Sequence, residues 1–333
     1  PQSETVWKQA DKYDVPRIAF VNKMDRLGAD FDRAVAMMRE RLAARPVPVT
    51  IPIGAEDAFA GLIDLRSMTA RIYSDELGTR WDDTDIPAAE RERAEQARAT
   101  LLETVAEVDE ELMERFLADE EIGADEITRA LRHGTINERL VPVFSGSALK
   151  NKGVQALMDG IADLLPSPAD RPAITGAHPK TGADEAREPD DEAPFSALVF
   201  KMVADKHAGS LSFLRVYSGR LEAGTVALNV NTGKRERVQR MFRMHADKRE
   251  ELKEARTGDI IAVVGPKTLR TGTSLTDLDA PLLLEEMTFP EPVIYVAIEP
   301  RTKADGEKLH AALDALSFED PTFQVKADPD SGQ

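Results

Sequence analysis

Ile18-Ala19-Phe20-Val21-Asn22-Lys23-Met24-Asp25 decides how this chain is read. The apolar run Ile18–Val21, entered through Val15-Pro16, has the look of a buried parallel strand. A helix is predicted over residues 32–45, so the polar tetrad lies between strand and helix. Open α/β sheets bind ligands at that place, the C-terminal end of a strand. An N-K-x-D match arises by chance in about 5% of chains of this length at average residue frequencies. Its chemistry is that of base recognition. A carboxylate at Asp25 can accept both N1–H and N2–H of guanine. Adenine has an acceptor at N1 and no 2-amino group, so it would leave the carboxylate desolvated and unpaired. The aliphatic stem of Lys23 can lie along a face of the base, and the Asn22 side chain can tie this loop to its neighbours.

A second apolar run, Leu140-Val141-Pro142-Val143-Phe144, is followed by Gly146-Ser147-Ala148-Leu149 and a helix over 153–165 that Pro166-Ser167-Pro168 stops. A backbone N–H here, that of Ala148, can donate to guanine O6, with Gly146 and Ser147 permitting close approach. A phosphate loop of the form G-x-x-x-x-G-K-[ST] does not occur. Gly233-Lys234 is followed by Arg235 in a hairpin turn, and Gly265-Pro266-Lys267-Thr268 has the wrong spacing. The sequence thus carries base-reading parts without phosphate-holding parts.

Length and composition bound the rest. The 333 residues allow two or three domains. A formal charge of −17 argues against a general nucleic-acid coating protein, because phosphates are repelled except at a local basic patch. The lack of cysteine excludes disulfide frameworks, zinc fingers, iron–sulfur sites and thiol catalysis. No apolar run approaches 18 residues and no signal segment opens the chain, so no membrane partner is expected and the default setting is cytoplasmic. The opening at Pro1 and the closing turn Asp328–Gln333 read as the ends of an internal fragment of a longer protein.

Between the two loops, residues 46–87 are strand-and-turn material. Ala94, Ala97, Leu101, Val105, Val108 and Leu112 then recur at helical steps, with Asp109 as the cap of a second helix and Ile127, Ala130 and Leu131 on a third. Residues 88–126 hold 14 acidic and 4 basic residues. Residues 166–194, rich in Pro, Gly, Ala and acid, read as a linker or long exposed loop. From Phe195 the period becomes two. Strands are predicted over 195–203, 211–217, 225–230, 234–244 and 259–264, which indicates a small antiparallel barrel or sandwich. Residues 234–256 carry nine basic and five acidic residues, a local excess in an acidic protein. Strand 293–299, helix 303–316 and strand 322–327 open an α/β sandwich too short to close its own sheet.

Taken together, these residues resemble the elongation factor G family of translational GTPases, through nearly all of the chain. Pro16 to Arg26, continued by Gly28-Ala29-Asp30-Phe31, is similar to the family's fourth guanine-nucleotide motif. Gly146-Ser147-Ala148-Leu149-Lys150-Asn151-Lys152-Gly153-Val154-Gln155 is similar to the fifth. Phe195 to Gly219 resembles the second domain, and Phe289-Pro290-Glu291-Pro292-Val293-Ile294 with Ile298-Glu299-Pro300 the start of the third. The resemblance implies a multidomain α/β and β protein. Residues 1–45 and 136–168 would be the C-terminal half of a P-loop-type G domain, with an inserted α+β subdomain at 46–135. A linker at 169–193, an antiparallel β-barrel at 194–288 and the first half of a ferredoxin-like α/β sandwich at 289–333 would follow. It implies guanine contacts from Asn22, Lys23, Asp25, Ser147, Ala148 and Leu149, and GTP or GDP with Mg2+ in the full-length parent. The fragment itself is expected to bind no cofactor tightly, hold no metal and contain no catalytic residue. None of His133, His178, His207, His245 or His310 inherits the family's catalytic histidine. The implied partners are the ribosomal stalk protein, for the acidic helices at Glu103, Glu107, Glu110 and Glu111, and small-subunit rRNA, for Arg235, Arg237, Arg240 and Arg243. The implied activity is tRNA–mRNA translocation. The alternatives are a ribosome-binding piece without chemistry of its own, or a paralogue acting in ribosome recycling or protection, or in release.

Overall fold

The computed structural model describes residues 2–205, 209–246, 248–284, 287, 296–298, 300, 302–320 and 322–325. They fall into two units, Pro1–Pro166 and Ser167–Gln333.

The first unit begins with α1 (Gln2–Lys12), β1 (Ala19–Val21), α2 (Phe31–Leu42), β2 (Pro46–Pro48) and β3 (Thr50–Ile53). Asp30 caps α2 by accepting the Arg33 N–H at 2.9 Å. That helix closes at Ala43, in the left-handed region at φ 49°, short of the expected residue 45 because Pro46 disfavours helical backbone before it. The strand-and-turn stretch that opens at residue 46 divides at Val49. β2 stays with the parallel sheet, while β3 starts an antiparallel meander with β4 (Gly61–Asp64), β5 (Thr69–Tyr73) and β6 (Trp81–Thr84). The exposed strand β6, Trp81-Asp82-Asp83-Thr84, has no apolar alternation to mark it within the strand-and-turn stretch. Helices α3 (Ala88–Ala106), α4 (Glu110–Leu117) and α5 (Ala124–Ile136) follow. The Asp109 carboxylate caps α4 by accepting the Leu112 N–H at 3.0 Å. Then come β7 (Val141–Ser145) and α6 (Val154–Leu164).

The parallel sheet has the order β1-β7-β2. β7 is buried along its whole length. β1, read from sequence as a buried strand, is instead half-buried, because among the described residues it pairs on one side only. One apolar core joins Val35, Val47, Ile63, Leu101, Ile127, Leu131 and Phe144, so sheets and helices of this unit share a single interior.

The second unit opens with β8 (Ile174–Ala177) and β9 (Asp184–Arg187). This hairpin lies where a linker was expected. It has few apolar side chains to announce it, and its support is main-chain: Ala177 and Leu283 exchange both N–H···O bonds at 2.9 Å. The buried Arg187 guanidinium adds bonds to the carbonyls of Phe195 and Ala280. The remaining strands are β10 (Ser196–Asp205), β11 (Gly209–Ser218), β12 (Arg220–Glu222), β13 (Val226–Asn229), β14 (Lys234–Arg237), β15 (Arg240–His245), β16 (Lys248–Leu252), β17 (Glu254–Arg256), β18 (Ile260–Val264) and β19 (Ser274–Thr276). Eight of them form a sheet in the order β14-β13-β19-β10-β11-β18-β15-β16. The expected strand 234–244 is broken at Val238-Gln239. β14 stands at one edge of that order and β15 near the other, yet only two residues separate them in the chain, so the sheet curls until its ends adjoin. Ala227, Val238, Met241 and Ile261 accordingly share one core. Helix α7 (Lys303–Glu319) is capped by the Thr302 side chain. Of the two strands expected to flank it, residues 296–298 and 322–325 are not in strand; the rest of both lies outside the described residues.

Candidate functional site

β1 and β7 are parallel neighbours with Val21 opposite Ser145, so the loops that follow them leave the same end of the sheet side by side. The backbone joins them. The Gly146 N–H donates to the Val21 carbonyl and the Met24 N–H to the Gly146 carbonyl, both at 3.1 Å. Gly146 has no room for a side chain: a Cβ there would lie 2.7 Å from Phe20 Cζ. Met24, the unspecified position of N-K-x-D, is 1% exposed and anchors the loop in the core. Nothing in the sequence marked it beyond one apolar residue inside a polar tetrad.

Asn22 Oδ1 accepts from the Lys23 N–H at 2.7 Å and from the Ala148 N–H at 2.9 Å. The second bond ties loop to loop across 126 residues of sequence. It also engages the N–H that sequence reasoning reserved for guanine O6. Lys23 sits at φ 64°, a left-handed conformation that costs a lysine roughly 1–2 kcal/mol and that the Asn22 bond helps to hold. Leu149 and Lys23 are exposed beside the loops.

The Asp25 side chain is 11% exposed, with Lys150 Nζ 3.9 Å from its Oδ2. The Ser147 hydroxyl on the neighbouring loop lowers the Asp25 pKa; desolvation opposes it, and Lys150 and Arg26 assist. Asp25 is thereby held as an anion, aimed where both loops meet. Lys150 was not singled out in the sequence, where it is one lysine among several.

The other predicted residues divide. Glu103, Glu110 and Glu111 are exposed on α3 and α4. Glu107 is instead paired with Arg45, while its carbonyl accepts from Arg139 at 3.0 Å. Arg235 and Arg237 are exposed on the edge strand β14. Arg240 is bidentate to Glu251 at 2.8 and 2.9 Å, and Arg243 lies 3.9 Å from Glu250 and 3.7 Å from Asp259. The four arginines are therefore not one field of unpaired charge. The partner strand of β15 brings Glu250 and Glu251 to these arginines, a pairing that the net count over 234–256 concealed.

Among the described residues no helix is long and apolar enough to cross a membrane, and no three carboxylate or histidine side chains gather to hold a metal ion.

Residues 1–167 match the family described as elongation factor Tu GTP binding domain. Residues 194–278 match elongation factor G domain 2, and 289–333 match elongation factor G domain III. The crystal structure of ttk003000868 from Thermus thermophilus superposes with a TM-score of 0.81 at 27% identity, covering 99% of this chain and 46% of that one. The chain thus spans about half the length of that relative. Two hydrogen-bonded loops on adjacent parallel strands, a curled antiparallel sheet after them and three family matches in that order lead to one assignment: the chain belongs to the translational GTPases of elongation factor G type.

Proposed function

We propose that the loops at 22–25 and 146–149 form the guanine-base half of the nucleotide site in a longer ribosomal translocase. The carrying observations are the cross-loop bond from the Ala148 N–H to Asn22 Oδ1 and the lowering of the Asp25 pKa by the Ser147 hydroxyl of the neighbouring loop. They build the carboxylate into a fixed, ionised acceptor for N1–H and N2–H. Lys23 and Leu149 flank the base through their apolar carbons. The Leu149 N–H, without an acceptor among the described residues, takes the O6 role that Ala148 gives up. Among the described residues no three carboxylate or histidine side chains gather to hold magnesium, so this half offers it no such ligand set. Hydrolysis belongs to residues outside this chain, whose sequence carries no phosphate loop. The half-buried apolar edge of β1 supports further strands pairing there in the longer protein. In the same reading Arg235 and Arg237 meet ribosomal RNA phosphates, and Glu103, Glu110 and Glu111 meet a basic surface of the stalk protein, in the cytoplasm.

The test is Asp25→Asn in the intact protein. An amide presents one donor toward guanine N–H groups, so GDP affinity falls about 10–100-fold, the scale of a charge-assisted bond. Xanthosine diphosphate, with a carbonyl at position 2, gains in the same variant. Unchanged GDP affinity, or no gain for the xanthine nucleotide, overturns the reading.

A further inference from the structure

The 146–153 loop is braced from outside the parallel sheet, by the β5–β6 hairpin. The Gly153 N–H donates to Tyr73 Oη at 2.7 Å, and the Tyr73 hydroxyl donates to Gln155 Oε1 at 2.9 Å. Gln155 Nε2 donates to the carbonyls of Gly78 and Asn151, both at 3.2 Å, and Asn151 Nδ2 donates to the Gly78 carbonyl at 3.1 Å. The hairpin tip is shaped for this. Asp75 accepts the N–H groups of Thr79 and Arg80 at 2.9 and 3.0 Å. Gly78 adopts φ 57°, where a Cβ would lie 2.6 Å from the Asn151 carbonyl oxygen. Tyr73 is 7% exposed, with Trp81 edge-on at 6.1 Å and the Lys152 ammonium 5.9 Å from its ring centre. Gly153 in turn closes the loop, because Ser147 and Lys152 exchange both backbone hydrogen bonds, at 2.8 and 3.0 Å, one residue earlier.

We propose that Tyr73, acting through Gly153 and Gln155, is a positioning residue for the guanine base, so that the β5–β6 hairpin sets how well the site recognises the 6-oxo group. The inference rests on the base-site reading above. The loop's two contributions differ in their supports. Ser147 is pinned by Lys152, and the Leu149 N–H lies on the stretch between Ala148 and Asn151 that Gln155 and the Gly78 carbonyl hold from its far end. Loosening the brace therefore degrades recognition of O6.

The measurement is the dissociation constant of the intact protein for GDP and for 2-aminopurine riboside diphosphate, which keeps the 2-amino group but lacks both O6 and the N1–H, so it binds more weakly than GDP from the outset and only the change in the ratio reads O6. In Tyr73→Phe the ring still packs, and the Gly153 N–H and Gln155 lose their shared partner. GDP binding weakens about 5-fold, the size of one buried hydrogen bond, while the 2-aminopurine nucleotide binds as before. The preference for GDP contracts by the same factor. Gln155→Ala gives the same contraction by removing the link to Gly78 without touching the aromatic core. Equal weakening of both nucleotides in the two variants, or none, overturns the inference. A wild-type protein that binds the two nucleotides equally overturns the base-site reading, and the inference with it.

Discussion

Gly160→Ala in α6 tests the packing that carries β7, and its sign is informative. In a helix interior alanine is favoured over glycine by about 1 kcal/mol, so propensity alone predicts a stabilised protein. The structure predicts the reverse. A Cβ at residue 160 would lie 2.8 and 2.9 Å from Phe144 Cε2 and Cε1, and closer still to Cζ, whereas carbon atoms prefer about 3.5–4.0 Å. Phe144 is fully buried, and its strand is paired on both sides, with Phe20 of β1 as its register partner. The ring must retreat by about an ångström without free space to enter, an overpacking penalty of about 2–4 kcal/mol including backbone shift. After the propensity gain, net destabilisation is about 1–3 kcal/mol. Both tryptophans, Trp7 and Trp81, lie in the first unit, so urea unfolding followed by tryptophan fluorescence reports this unit alone. The double variant with Phe144→Leu isolates the contact: beside the smaller side chain, Gly160→Ala becomes neutral or stabilising. A single variant that gains the full propensity increment would refute the reasoning, because the ring would then have room.

Further outcomes follow from the charges. Ser147→Ala removes the principal cause of the low Asp25 pKa, so the Asp25 carboxyl titrates at higher pH in a carbon-detected NMR titration. A depressed folded-state pKa gives stability that is present above the unfolded value and lost as pH falls through the folded one. The variant's stability accordingly drops less than wild type below about pH 4, the ordinary carboxylate range. Charge reversal at Glu103, Glu110 and Glu111 slows stalk-protein association at low salt, and the difference fades near about 1 M salt, where screening is nearly complete. Glu107→Lys instead lowers stability by at most about 1 kcal/mol, because its charge is paired with Arg45 at the surface. Neutralising Arg235 and Arg237 reduces the salt slope of ribosome binding by about 2, one per lost phosphate contact, whereas Arg240 and Arg243, already paired with acids, change it less.

The parallel-strand reading of 18–21 and 140–144 was legible because apolar runs bounded by turn signals survive any arrangement of their neighbours. The Asp109 cap and the buried face of α3 were legible for a similar reason: capping and helical periodicity are local. The hairpin at 174–187 was not, since its stabilisation comes from backbone pairing with Leu283, and backbone groups leave no trace in composition. The ion pairs of Arg240 and Arg243 were not legible for a related cause. Counting charges along 234–256 ignores that β15 and β16 are antiparallel, which sets Arg243 opposite Glu250 and gives Arg240 a bidentate carboxylate.

At the candidate site the sequence by itself determined the chemistry. A carboxylate, an amide, a hydroxyl and small residues at the ends of two strands already define which donors and acceptors the loops offer. Only the tertiary structure decided which donor is free. It committed the Ala148 N–H to Asn22, brought Ser147 and Lys150 to Asp25, and set Tyr73 behind Gly153. Side-chain type fixes hydrogen-bonding capacity, and that is written residue by residue. Which capacities are already spent depends on partners 80 to 126 positions away, and only the folded chain brings those within about 3 Å.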